Sequence, residues 1–144
     1  MKKTILAIVL ASLAMFSLAG FYTSVLARDF ISEHVESALL RTPPNLLLVF
    51  AGYFVLSLLM TVIYARVVNV EKSPAWAGLR FGAVAGICWL VPSSLVLFGI
   101  YKFPYAALPM DFGWALIEQG IGGLIIGYIL GPTSGRKGAS RLMV

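Results

Sequence analysis

Glu118 and Gln119 stand side by side in LIEQGIGGLIIGYILG, the stretch from Leu116 to Gly131, which is otherwise aliphatic residues, glycine and one tyrosine. A carboxylate at the centre of a bilayer costs about 2.5–3.5 kcal/mol on insertion scales. A Glu in such a run therefore either serves a proton or substrate site, or makes one buried polar bond that fixes the order of the helices. Seven residues beyond Asp111, it is expected roughly 10 Å inside a helix at 1.5 Å per residue. Polar groups at similar depth in the other apolar runs are Tyr22 and Thr23, Tyr53, and Ser93 and Ser94. None is a cation, so a neutral or proton-shared carboxyl is expected here and not an ion pair.

Other reactive side chains are few. The single cysteine, Cys88, lies inside an apolar run and is expected to be a small packing residue. The single histidine, His34, sits in a polar connector with Glu33 and Glu36, without a second His or Cys to build a metal site. There is no His–Glu helix pair for zinc, no nucleophile elbow and no phosphate-binding loop. The sequence GAVAG has no soluble strand–helix unit around it, so it is not a dinucleotide fingerprint. The spans lack the paired Asp, or Ser with His, that intramembrane proteolysis needs. A non-enzymatic role is expected, with no cofactor and no metal.

The elements that must position Glu118 follow from composition. Of 144 residues, 60% are hydrophobic and 12% charged, where a soluble domain is about half apolar and a quarter charged. A spanning helix needs roughly 20 apolar residues, and four runs qualify: about 4–27, 45–65, 75–101 and 112–130. The second opens after Thr42–Pro44 and the third after Ser73–Pro74, with proline near a first turn. Gly131–Pro132 closes the fourth. None alternates with period two, which argues against barrel strands. The expected fold is all-α, one polytopic transmembrane four-helix bundle over residues 1–144, with the lipid bilayer as its solvent. The first run also admits a signal-peptide reading, with Ser17–Gly20 as the cleavage region. Its apolar stretch continues to Ala27, which favours an uncleaved span.

The formal net charge of +5 is distributed between the apolar runs and not gathered in a patch, so nucleic acid is not an expected partner. The distribution instead sets orientation. Lys2, Lys3, Arg66, Lys72, Arg80, Arg136, Lys137 and Arg141 fall on one side; Arg28, Arg41 and Lys102 fall on the other. Basic connectors stay inside, so both termini are expected on the cytoplasmic side of the membrane.

Two glycine stripes suggest how the helices meet. Gly78, Gly82 and Gly86 repeat every four residues in the third run, and Gly123, Gly127 and Gly131 do so in the fourth. Small residues at this spacing let two backbones approach closely. An antiparallel hairpin puts both stripes at one level, and packing within the chain is favoured over a homo-oligomer or a larger membrane complex. Gly120 joins that face of the fourth helix, leaving Glu118 on the other with Asp111, Trp114, Gly122 and Ile125. Trp76 and Trp114, near helix starts, fit interfacial anchors. Pro92 frees the carbonyl of Cys88, as happens at a cavity or at a plain kink.

GFY…L…DF between Gly20 and Phe30, GLRFGAVAGICWLVPSSLVLF in the third run and DFGWALIEQGIGGLIIGYILG in the fourth complete the pattern. In layout, over about residues 4–131, the chain resembles small four-helix bacterial inner-membrane proteins grouped as domains of unknown function. That resemblance implies a four-helix fold in a bacterial inner membrane and no established activity; the function expected for the chain is a non-enzymatic packing or accessory role. The chain also resembles the small multidrug exporters, four-helix proteins with one membrane Glu. Their Glu lies in the first helix and Glu118 in the fourth. The departure sets the chain apart from their mechanism; the alternative that Glu118 itself raises is a small proton-coupled transporter acting as an oligomer around it.

Overall fold

A computed structural model describes residues 2–35, 40–41, 43–68 and 73–131. It is all-α, and four of its helices are long and apolar enough to cross a membrane. Helix α1 covers Lys2–Phe21 and runs on through one π-helical turn, Tyr22–Leu26. The hydroxyl of Thr23 donates back to the carbonyls of Ala19 and Gly20, at 3.0 and 3.3 Å. Such back-bonding competes with the helix ladder and bends helices. A short helix α2, Arg28–His34, follows. Helix α3 is Leu46–Val67, and the Asn45 side chain accepts from the Leu48 amide at 3.1 Å to cap its start. Helix α4, Pro74–Ile100, opens on proline and carries Pro92 within it.

Helix α5 is Ala107–Leu130, closed by Gly131 at φ 70°. It begins earlier than the apolar run from Phe112 suggests, because Pro109 lies in the first turn, where its missing N–H has no helical partner to lose. Asp111 is thereby part of the helix. Glu118 sits midway along it, roughly 16 Å from the start at 1.5 Å per residue, deeper than the distance from Asp111 gives.

The helices are arranged as two antiparallel pairs. In the first, α1 packs on α3 through the buried Ser57 hydroxyl, which donates to the Ile8 carbonyl at 2.8 Å, and through Phe16 edge-on to Phe50 at 5.5 Å. In the second, α4 and α5 share the most extensive contact in the molecule. α1 also packs on α5, where Met15 fills the space left by Gly122. The core at this junction comprises Ala7, Ala11, Met15, Met60, Tyr64 and Ile126. Helices α3 and α4 scarcely touch. They meet near the end of α3, where Tyr64 lies edge-on to Phe81 at 5.4 Å and donates its hydroxyl to the Pro74 carbonyl at 3.1 Å. The arrangement is closed there and open along the rest of that side.

The α4–α5 seam corrects the glycine register. Gly78 lies against Gly123 and Gly127, Gly82 against Gln119 and Gly123, and Gly86 against Ala115 and Gln119. The α5 stripe is thus Ala115, Gln119, Gly123 and Gly127. Gly131 has no heavy atom within 4 Å of a Cβ position, and its left-handed φ makes it a helix stop instead. Gly120 meets the Leu79 side chain. Leu47, Val55, Val84, Val96 and Tyr128 are among the many large apolar side chains left exposed, the surface a helix presents to lipid.

Candidate functional site

Asp111, Trp114 and Glu118 lie three and four residues apart, on one face of α5. That spacing sets the Trp114 indole Nε1 to donate to Glu118 Oε2 at 3.1 Å. The indole stacks on the Tyr22 ring at 4.9 Å and 14°. Tyr22, at the π-turn, donates its hydroxyl to Asp111 Oδ1 at 3.3 Å. On the other side of the carboxylate, Gln119 Nε2 donates to Glu118 Oε1 at 2.9 Å. The Tyr53 hydroxyl, from α3, interacts with the same carboxylate. Glu118 is 5% and Gln119 4% exposed, so Glu118 faces protein and is held at both oxygens.

This arrangement restricts the chemistry. An indole N–H donates and cannot accept, so Trp114 cannot pass a proton between Asp111 and Glu118. It can only fix the carboxylate. The Gln119 amide spends its N–H on Glu118 and leaves Oε1 without a partner among the described residues. With Nε2 on Glu118, the amide oxygen is the atom left over.

Glu118 and Gln119 floor a cleft between α3 and α4 of about 510 Å³. Its walls are aliphatic, with Leu48, Val55, Leu56 and Leu90 among them, and Trp89 at one edge; Tyr53, Glu118 and Gln119 supply the polar atoms. Below it, towards Tyr64, lies a second apolar compartment of about 400 Å³ that shares Leu56, Leu59 and Trp89. A third cavity, about 310 Å³, lies at the other end of the helices, with Tyr22, Asp111 and Ser94 in its wall.

Of the residues singled out by sequence, Glu118, Gln119 and Tyr53 come together. Tyr22 bonds Asp111 and reaches Glu118 only through the Trp114 ring. Thr23 bonds its own helix. Ser93 does likewise, donating to the Trp89 and Leu90 carbonyls at 2.8 and 3.0 Å. Ser94 is buried in the wall of the third cavity, away from Glu118. Trp114, expected as an interfacial anchor, is the main support of Glu118; its position four residues before the Glu was the available signal. Trp76 does lie exposed near a helix start, with the Arg80 guanidinium 5.3 Å above its ring. Cys88, expected to be packed, is exposed beside the lower compartment, because α3 does not cover that face of α4. His34 is exposed on α2, stacked on Phe30 at 4.6 Å.

This is a multi-pass membrane protein. No family model, no curated protein and no solved structure matches the chain. The resemblance in layout therefore identifies no family, and four long apolar helices are what remains of it.

Proposed function

We propose that the chain is a non-enzymatic accessory protein of the bacterial inner membrane, with Glu118 as a fixed acceptor and not a proton carrier. The observation that carries this reading is the pair of N–H donors on the two Glu118 oxygens, from Trp114 and Gln119. A carboxylate that must release and rebind protons needs a mobile donor and a hydrated approach. Here Trp114 is an obligate donor, and beyond Tyr53 and Gln119 the cleft walls are apolar. Lys2, Lys3, Arg66 and Arg80 lie at one end of the antiparallel helices, which supports cytoplasmic termini. Lys72 and the tail residues Arg136, Lys137 and Arg141 fall outside the described residues.

A specific observation favours the second reading, a small proton-coupled transporter acting as an oligomer: a cavity does reach Glu118. Glu118→Gln separates the two. In the variant, the new amide oxygen can accept from Trp114, and its NH₂ can donate to a turned-over Gln119. The fold should therefore survive. In liposomes carrying an internal pH dye, the wild type should show no proton flux above that of empty vesicles, and the variant should match it. A wild-type flux that Glu118→Gln abolishes while the protein stays folded would establish the transporter reading in its place.

A further inference from the structure

We propose that the cleft between α3 and α4 binds a small lipophile bearing a hydroxyl or N–H donor, which enters sideways from the bilayer. The inference deepens the accessory reading and rests on Glu118 being a fixed acceptor. Three observations carry it. The first is size: compartments of about 510 and 400 Å³ that share three residues form one trough, within the range of roughly 300–1,000 Å³ typical of small-molecule sites. From Leu48 to Ile63 the trough runs roughly 22 Å along α3 at 1.5 Å per residue, the shape of a chain-like molecule.

The second is the wedge. Tyr64, against Phe81 and Pro74, joins α3 to α4 at one end of the trough. A transmembrane helix of another protein, or of a second copy, seated between α3 and α4 needs roughly 8–10 Å to each of their axes along its whole length. The closed end denies it that, whereas a flexible chain fits. The third is the unused atom. Gln119 lines the trough, is 4% exposed and carries a buried oxygen with no partner among the described residues. A buried acceptor left unpaired is costly, and a ligand donor entering from the trough would pair it while Gln119 Nε2 stays on Glu118. Glu118 and Tyr53 stand at the same level, so the donor sits at mid-helix and the apolar tail lies along Leu56, Leu59 and Trp89.

The test uses the full chain in phosphatidylcholine nanodiscs, with 12-bromododecan-1-ol as probe and its methyl ether as the donor-free control. Bromine quenches tryptophan at short range, and Trp89 borders both compartments. The alcohol should quench saturably, the ether should bind at least about tenfold more weakly, and Trp89→Phe should remove the saturable component. Gly52→Phe provides a blocking variant, because a Cβ there meets nothing within 4 Å while the residue lines the trough; it should fold normally and lose saturable quenching. Glu118→Gln, which frees a donor at Gln119 in place of an acceptor, should erase the preference for alcohol over ether.

Quenching that never saturates, equal affinity for alcohol and ether, or wild-type binding by Gly52→Phe would overturn the proposal. So would near-complete oxidative crosslinking of Cys88 between copies in native membranes, which would place a second copy over the trough. Proton flux in liposomes with alcohol-selective quenching retained would remove the accessory reading alone. Absence of flux with unsaturable quenching would remove the ligand alone.

Discussion

Gly82 offers the sharpest test of the α4–α5 seam. A Cβ on Gly82 would overlap the Gln119 carbonyl oxygen and stand 3.0 Å from the Cα of Gly123. Both neighbours are backbone, so no side chain can rotate out of the way and the helices must separate. A gap of about 0.5–1 Å forfeits a quarter to a half of each atom pair's dispersion well of ~0.1–0.2 kcal/mol. With about 40 pairs along the seam, the loss is about 2 kcal/mol, within the usual cost of overpacking. Helix propensity returns up to about 1 kcal/mol for Ala over Gly, so Gly82→Ala should lose about 1–2 kcal/mol in all. Gly113→Ala is the control, since a Cβ there meets nothing within 4 Å; it should be neutral or gain up to about 1 kcal/mol. Unfolding in a fixed detergent, followed by helical circular dichroism, reads both. A rule of small residues admits alanine; the backbone contact at Gly82 does not. If Gly82→Ala is as stable as Gly113→Ala, the backbones are not in contact and the seam is wrong.

Trp114→Phe keeps a ring to stack on Tyr22 but removes the donor to Glu118, and should cost about 1–3 kcal/mol in the same unfolding assay; an unchanged midpoint would mean that the indole does not hold the carboxylate. Ser57→Ala removes the bond to the Ile8 carbonyl and should cost only about 0.6 kcal/mol, the average found for such bonds between membrane helices; a loss several times larger would mean that the α1–α3 pair depends on that one bond. For orientation, a reporter enzyme active only outside the cytoplasm should be silent when fused after Val144 and active when inserted near Glu36, and the opposite pattern would reverse the proposed topology.

The elements were legible because apolar length and proline positions depend on the local chain alone. The packing was legible only in part. The four-residue glycine spacing located the seam, but its α5 register runs through Gln119, a residue that a search for small side chains passes over. Gln119 fits there because Gly86 leaves room for its Cβ and Cγ. The cleft left no trace in the pattern. Lipid-facing and cleft-facing positions are equally aliphatic, so hydrophobic periodicity cannot tell a wall of a trough from the outside of a bundle. The Tyr22–Asp111 bond was not legible: spacing sets Asp111 on the Glu118 face of the fourth helix, but nothing local aligns it with the π-turn that carries Tyr22. Trp114 was placed on the correct face of the helix, yet its role depends on the indole N–H reaching back one turn, a matter of rotamer that spacing permits without dictating.

The position of α1 between α3 and α5 has a consequence for biogenesis. As the chain leaves the ribosome, α1 and α3 reach the membrane first and can pair through Ser57 and Phe16 before the rest is made. Helix α5, which brings the buried acidic residue, arrives after both. By then Tyr53 is already in the bilayer, and Trp114 and Gln119 enter on the same helix as the carboxylate they hold. The insertion penalty of about 2.5–3.5 kcal/mol for a lone acidic side chain is thereby met on arrival. A Glu at the same depth in α1 would have waited for α3 and α5 to bring its partners. Chain order, in this protein, schedules the polar contact for the moment at which its surroundings are complete.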